Sequence, residues 1–179
     1  MQTQLAMVLA ASLATTVALA QGMDSPDMTH MDHAAHMAAI ARQQDEVVQR
    51  GKEVMPFDLS TSLHVFTKTP DGGIQRVVAR RAEDAGQVQQ IRLHLEDIRK
   101  QFSQGDFSGP RQIHGEQMPG LVALQSAKPG QIAITYHALP EGAELSYVTA
   151  DPRLVSALHD WFDAQVSDHG KDAVAGHQH

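Results

Sequence analysis

Apolar and polar positions alternate in two distinct rhythms along the chain. Over residues 62–68, Leu63, Val65 and Thr67 alternate with His64 and Phe66, a period of two that predicts a strand. Pro70-Asp71-Gly72-Gly73 is a turn signal. Residues 74–80 then read as the returning strand, with Ile74 and Val78, or Val77 and Ala79, as its apolar face. The rhythm next changes to that of a helix. Val88, Ile91, Leu95, Ile98 and Phe102 recur every three or four residues, Asp84 stands at the N-cap, and Gly105 closes the run. Residues 106–120 read as a loop and residues 121–125 as a short strand. A second hairpin follows, with Ile132, Ile134 and Tyr136 opposite Leu145 and Tyr147 and a turn at Pro140-Glu141-Gly142. Asp151-Pro152 starts a last helix whose buried face is Leu154, Leu158, Trp161, Phe162 and Gln165. The order is strand-strand-helix, twice. It predicts an α+β domain (ββαββα) over residues 56–169, an antiparallel sheet of two hairpins with two amphipathic helices on one face.

The flanks read differently. Residues 5–20 carry no charge and end in Ala18-Leu19-Ala20, the small-x-small pattern of an export signal. The run is shorter than the roughly 20 residues of a membrane span, so no span is expected once residues 1–20 are removed. Residues 21–55 form a polar lead rich in Met and His. Helix is expected from Met37 to Arg50, closed by Gly51, before Met55-Pro56 forces extended chain. Residues 170–179 read as a flexible tail carrying His177 and His179. Together these imply a periplasmic or secreted protein.

Composition sharpens the choice of chemistry. The 179 residues include no Cys, which excludes disulfides, thiolate zinc sites, iron–sulfur clusters and Cys nucleophiles. A net charge of −7 argues against a general nucleic-acid binder. The chain holds 11 His and 8 Met, and these are its informative residues. Six of them fall in residues 28–37: Met28, His30, Met31, His33, His36 and Met37, with Asp32 among them. Imidazole suits Cu(II), Ni(II) and Zn(II), and thioether suits Cu(I), so this run can hold copper in either oxidation state. In a helix, His30, His33 and Met37 share a face. The run resembles the Met-Asp-His stretches of periplasmic copper-resistance proteins.

Within the domain, His64, His94 and His114 are candidate ligands if the fold brings them together. His159 and His169 border the last helix's apolar face. Local spacing cannot show convergence, because none of these pairs has a chelating spacing. No Gly-x-Ser-x-Gly, His-Glu-x-x-His or phosphate-loop motif is present. Residues 57–62 superficially resemble the Ser-Thr phosphate loop of carbamoyltransferases, but the matching Arg and a second substrate domain are missing.

Several short blocks resemble an uncharacterised family of secreted bacterial α+β proteins. They are Phe57-Asp58, Leu63-His64-Val65-Phe66 before Asp71-Gly72-Gly73, Ile91-Arg92-Leu93-His94-Leu95, Gly105-Asp106-Phe107, Ile113-His114-Gly115 with Pro119-Gly120, and Asp151-Pro152. That resemblance implies secretion and fold, and brings no activity. Members often carry two adjacent His where this chain has Leu63-His64.

The sequence therefore reads as a periplasmic metal-binding protein of copper homeostasis or resistance. Its ligands would come from Met28, His30, Met31, His33, His36 and Met37, with exchange to another metal-handling protein. The alternative is a secreted redox enzyme or sensor that uses a transition metal or haem held by His64, His94 and His114.

Overall fold

The computed structural model describes residues 28–177, and the side chains from residue 32 onward. The expected export signal, residues 21–27, the side chains of Met28, His30 and Met31, and His179 lie outside the described residues.

Both hairpins form as read. Strands β1 (Ser62–Thr69) and β2 (Gly72–Ala79) pair antiparallel, as do β3 (Ala133–Leu139) and β4 (Gly142–Val148). Strand β2 also pairs with β4, joining the hairpins into one sheet. The register sets Ser62, His64 and Phe66 of β1 beside Ala79, Val77 and Gln75 of β2, and these beside Ala143 and Leu145 of β4. All lie on the buried face. His64 and Phe66 therefore point inward, while Leu63 and Val65 occupy the half-exposed outer face.

Helices α2 (Ala85–Ser103) and α5 (Pro152–His169) cover the inner face. Asp84 caps α2 by accepting from the Gln87 amide, and Asp151 caps α5 by accepting from the Arg153 amide. Val88, Ile91, Leu95 and Phe102 of α2 and Leu154, Leu158, Trp161 and Phe162 of α5 are buried in one core. That is the face their periodicity predicts. Arg92 ties α2 to the β3–β4 turn by donating to the carbonyls of Leu139, Pro140 and Gly142.

Elsewhere the layout departs from ββαββα. The lead is a single helix, α1 (Met28–Val54), which runs through Gly51. Gly51 is buried against Leu59, and a Cβ there would sit 2.9 Å from Leu59 Cδ1, so the residue serves close packing and not helix termination. Residues 106–120 contain helix α3 (Ser108–His114), and residues 121–125, expected as a strand, form helix α4 (Leu121–Gln125). Leu121 and Leu124 of α4 are buried at an i, i+3 spacing that a strand would place on opposite faces. The tail, expected to be flexible, supplies β5 (Ala173–Ala175), which pairs parallel with β1. The sheet is thus five-stranded and mixed, in the order β3-β4-β2-β1-β5. Among the described residues, no helix is long and apolar enough to cross a membrane.

Candidate metal centre

Four histidines from four elements meet at one end of the core. His64 comes from the middle of β1, His94 from α2, His114 from the last residue of α3 and His169 from the last residue of α5. The His169 ring stacks on His64 at a centroid separation of 5.1 Å with 26° between planes. His114 meets the same His169 ring edge-on, also at 5.1 Å. Phe57 bridges the rest, edge-on to His94 at 5.4 Å and tilted against His64 at 6.0 Å.

All four imidazoles line one cavity of about 60 Å³, together with Trp161 and Gln165. Two side-chain nitrogens of its lining residues, His64 Nε2 and Trp161 Nε1, are buried with no hydrogen-bond partner. Such orphans are uncommon in folded proteins, because each forfeits its hydration without compensation.

Burial sets the charge state of the cluster. It pushes His64 well below the ordinary imidazole value, and the neighbouring His169, His94 and His114 push the same way. Burial takes His94 down to about 4 against the opposing pull of Asp97. His169 falls to about 3, through burial and then His114, with Asp168 opposing. These three rings are neutral at pH 7, so each keeps a lone pair free of a competing proton.

His114 is held by a carboxylate. Its Nδ1 lies 2.7 Å from Asp168 Oδ2, with the two side chains 1% and 7% exposed. A carboxylate accepts, so Nδ1–H donates and Nε2 is the ring nitrogen left to coordinate. The other carboxylate oxygen of Asp168 accepts from Gln43 Nε2 of α1 at 2.6 Å. Gln44 Nε2 donates to the Ser167 carbonyl at 2.8 Å, and Arg50 Nε to the Ile113 carbonyl at 2.6 Å. Helix α1 thereby clamps both α3 and α5 beside the cluster. Strand β5 closes the far side, pairing Ala173 with His64.

Donor separation and donor orientation tell different stories. Two imidazoles sharing a tetrahedral ion, at metal–nitrogen distances near 2.0–2.1 Å, have ring centroids about 5 Å apart. The observed spacings match. The stacked His64 and His169 rings, however, run nearly parallel, so their nitrogens do not converge on one point. Among the described residues, no group of three or more His, Asp or Glu stands poised to hold a metal ion as the side chains lie.

The remaining sequence candidates separate from this cluster. His33, His36 and Met37 lie exposed on the N-terminal half of α1. His159 Nε2 donates to the carbonyls of Thr69 and Gly72 at 3.0 and 2.9 Å, which makes it a brace for the β1–β2 turn. His137 and His177 are exposed. Asp168 was missed in the sequence, and His169, read there as bordering the apolar face of the last helix, was left out of the candidate ligands. The signal was present: continuing the stripe of α5 from Trp161 and Gln165 by three and four residues places both on the buried face. Gln43 had no such signal, since its role depends on how α1 docks.

Against family models, curated proteins and solved structures alike, the chain finds no match.

Proposed function

We propose that the chain is an exported metal-binding protein whose centre is the buried cluster of His64, His94, His114 and His169, and that the metal is copper. The observation that carries this reading is the unpartnered Nε2 of His64, a residue that lines a small cavity with three further histidines. At this spacing, coordination requires the His64 and His169 rings to rotate out of their stack. Asp168 on His114 Nδ1 is the outer-shell carboxylate that orients a metal-binding imidazole.

The chemistry of the donors favours copper. Imidazole suits Zn, Cu, Fe and Ni, and copper binds such nitrogen sites most tightly among divalent first-row metals. Burial keeps His64, His94 and His169 neutral, so a buried Cu(I) leaves less uncompensated charge than a divalent ion would. The cavity has room for an ion with a water or two. It falls far below the roughly 300 Å³ at which organic ligand sites begin, which disfavours haem. The role is storage or hand-off to another metal-handling protein. A redox reading is favoured by one feature, the unpartnered N–H of Trp161, a residue that lines the same cavity and so offers a donor to a small ligand on the metal.

The single tryptophan makes the test direct. Trp161 lines the cavity, so Cu(II) bound there quenches its fluorescence. Expected is stoichiometric quenching that His64→Phe and His169→Leu each abolish while far-ultraviolet circular dichroism stays unchanged. Copper bound without quenching in the unaltered chain places the ion elsewhere and overturns this reading. Azide shifting the Cu(II) electron paramagnetic resonance spectrum would support the redox reading over storage.

A further inference from the structure

The docked face of α1 continues beyond the body of the domain. Val47 is buried, while Gln43 and Gln44 reach Asp168 and Ser167 of α5. At 3.6 residues per turn, positions 47, 44, 43 and 40 fall on one side of the helix. Positions 37, 36 and 33 extend the same side toward the N-terminus. They are Met37, His36 and His33, all exposed. Residues on an outlying stretch of a docked face would ordinarily be solvated and charged. Here they are two imidazoles and a thioether at i, i+3 and i+4, close enough for a shared ion.

Beside this stretch of α1 lies a cleft that reaches toward the buried cluster. A cleft of about 850 Å³ is lined by Ala39, Arg42 and Gln43 of α1, and by His114 and Asp168. Ala39 lies two residues from Met37. Gln43, about 10 Å along the helix from His36, holds the carboxylate that holds His114. The cleft thus begins at Ala39, within a turn of the exposed donors, and reaches His114 and Asp168 of the buried cluster.

We propose that His33, His36 and Met37 form a second, exposed copper site that captures the ion and delivers it along this cleft to His114. The donor set accepts Cu(II) through imidazole and Cu(I) through thioether, so capture works in either oxidation state. Three donors on a solvated helix bind more weakly and exchange faster than an enclosed set of four imidazoles. Transfer therefore runs inward. Tethering the captured ion to the domain replaces a bimolecular encounter by an intramolecular one at high effective concentration. The delivery step rests on the metal centre proposed above; the capture site does not.

The test compares the full chain with His33→Ala/His36→Ala/Met37→Leu, titrated with Cu(I) without oxygen and with Cu(II) held by excess glycine. Expected for the full chain are two copper ions, one of which quenches Trp161 as Cu(II). The triple variant should bind one ion, reach the same final quenching, and quench at least about tenfold more slowly. Unchanged stoichiometry and unchanged quenching rate in the triple variant overturn the proposal. Lower stoichiometry with an unchanged rate overturns delivery and retains capture. The pair His64→Phe/His169→Leu separates the two readings. If it alters no copper binding while the triple variant abolishes all of it, the buried centre fails and the helix site stands.

Discussion

Asp168 is the position at which the stability of the fold and the proposed metal binding are most tightly joined. Its carboxylate accepts from His114 Nδ1 at 2.7 Å and from Gln43 Nε2 at 2.6 Å, and its side chain is 7% exposed. Asp168→Ala removes the acceptor of both donors. Gln43 is exposed and can turn to water, whereas the buried His114 donor left unsatisfied costs about 1–3 kcal/mol, so the metal-free chain should lose roughly that much. That is a large share of the 5–15 kcal/mol typical of a domain. Asp168→Asn keeps the shape and one accepting oxygen, so it should lose about half as much. Losing the outer carboxylate also frees the His114 ring to reorient, which weakens metal affinity by about 10–100-fold, or roughly 1.4–2.7 kcal/mol. Urea unfolding followed by Trp161 fluorescence reads the first effect, and copper competition against a chelator of known affinity reads the second. Combining Asp168→Ala with Gln43→Ala should cost less than the two single losses added, because both remove the same hydrogen bond. An Asp168→Ala chain within about 0.5 kcal/mol of the parent, the range of ordinary surface substitutions, would refute the clamp. Unchanged copper affinity in Asp168→Asn would refute its link to the metal.

Further expectations concern the buried rings and the elements around them. Without metal, stability should be flat above about pH 6.5 and fall as acid protonates the unfolded chain's histidines but not the folded ones. His94 and His169, with folded values of about 4 and about 3, set the window from pH 6.5 downward. Each should contribute a slope of up to about 1.4 kcal/mol per pH unit there, measured by denaturation at several pH values. A slope unchanged in His169→Gln would contradict this. Gly51→Val should cost about 1–3 kcal/mol by driving a branched side chain into Leu59, and a thermal midpoint equal to the parent's would show that α1 does not pack there. Truncation after Gly170 removes β5 from beside His64, so the β1 amides should exchange faster with deuterium. Equal exchange would mean that β5 adds no protection.

How much of this was legible in the sequence depended on whether the signal was local. Both hairpins and helices α2 and α5 were readable because period and caps agreed: Asp84 and Asp151 cap the helices as their positions implied. Leu121–Gln125 misled because five residues are too few to separate a strand from one turn of helix; tertiary burial of Leu121 and Leu124 decided it. Gly51 misled because glycine both ends helices and permits close packing, and only the position of Leu59 distinguishes the two. Strand β5 is three residues long, and its existence depends on the open edge of β1. The metal candidates divided in the same way. His64, His94 and His114 were identifiable as residue types, while their meeting is a property of the fold, joining a strand and two helices across the core. His64 itself stands on the face that its alternation with Leu63 and Val65 makes ambiguous, since either face could have been the buried one.

The central claim is that the buried histidines bind copper, and the fluorescence of Trp161 during Cu(II) titration tests it most directly. Expected is saturable quenching with a dissociation constant below about 1 μM, equivalent to about −8 kcal/mol, removed by His64→Phe. No binding tighter than that, or tight binding that leaves Trp161 fully emissive, would contradict a metal centre in this cavity.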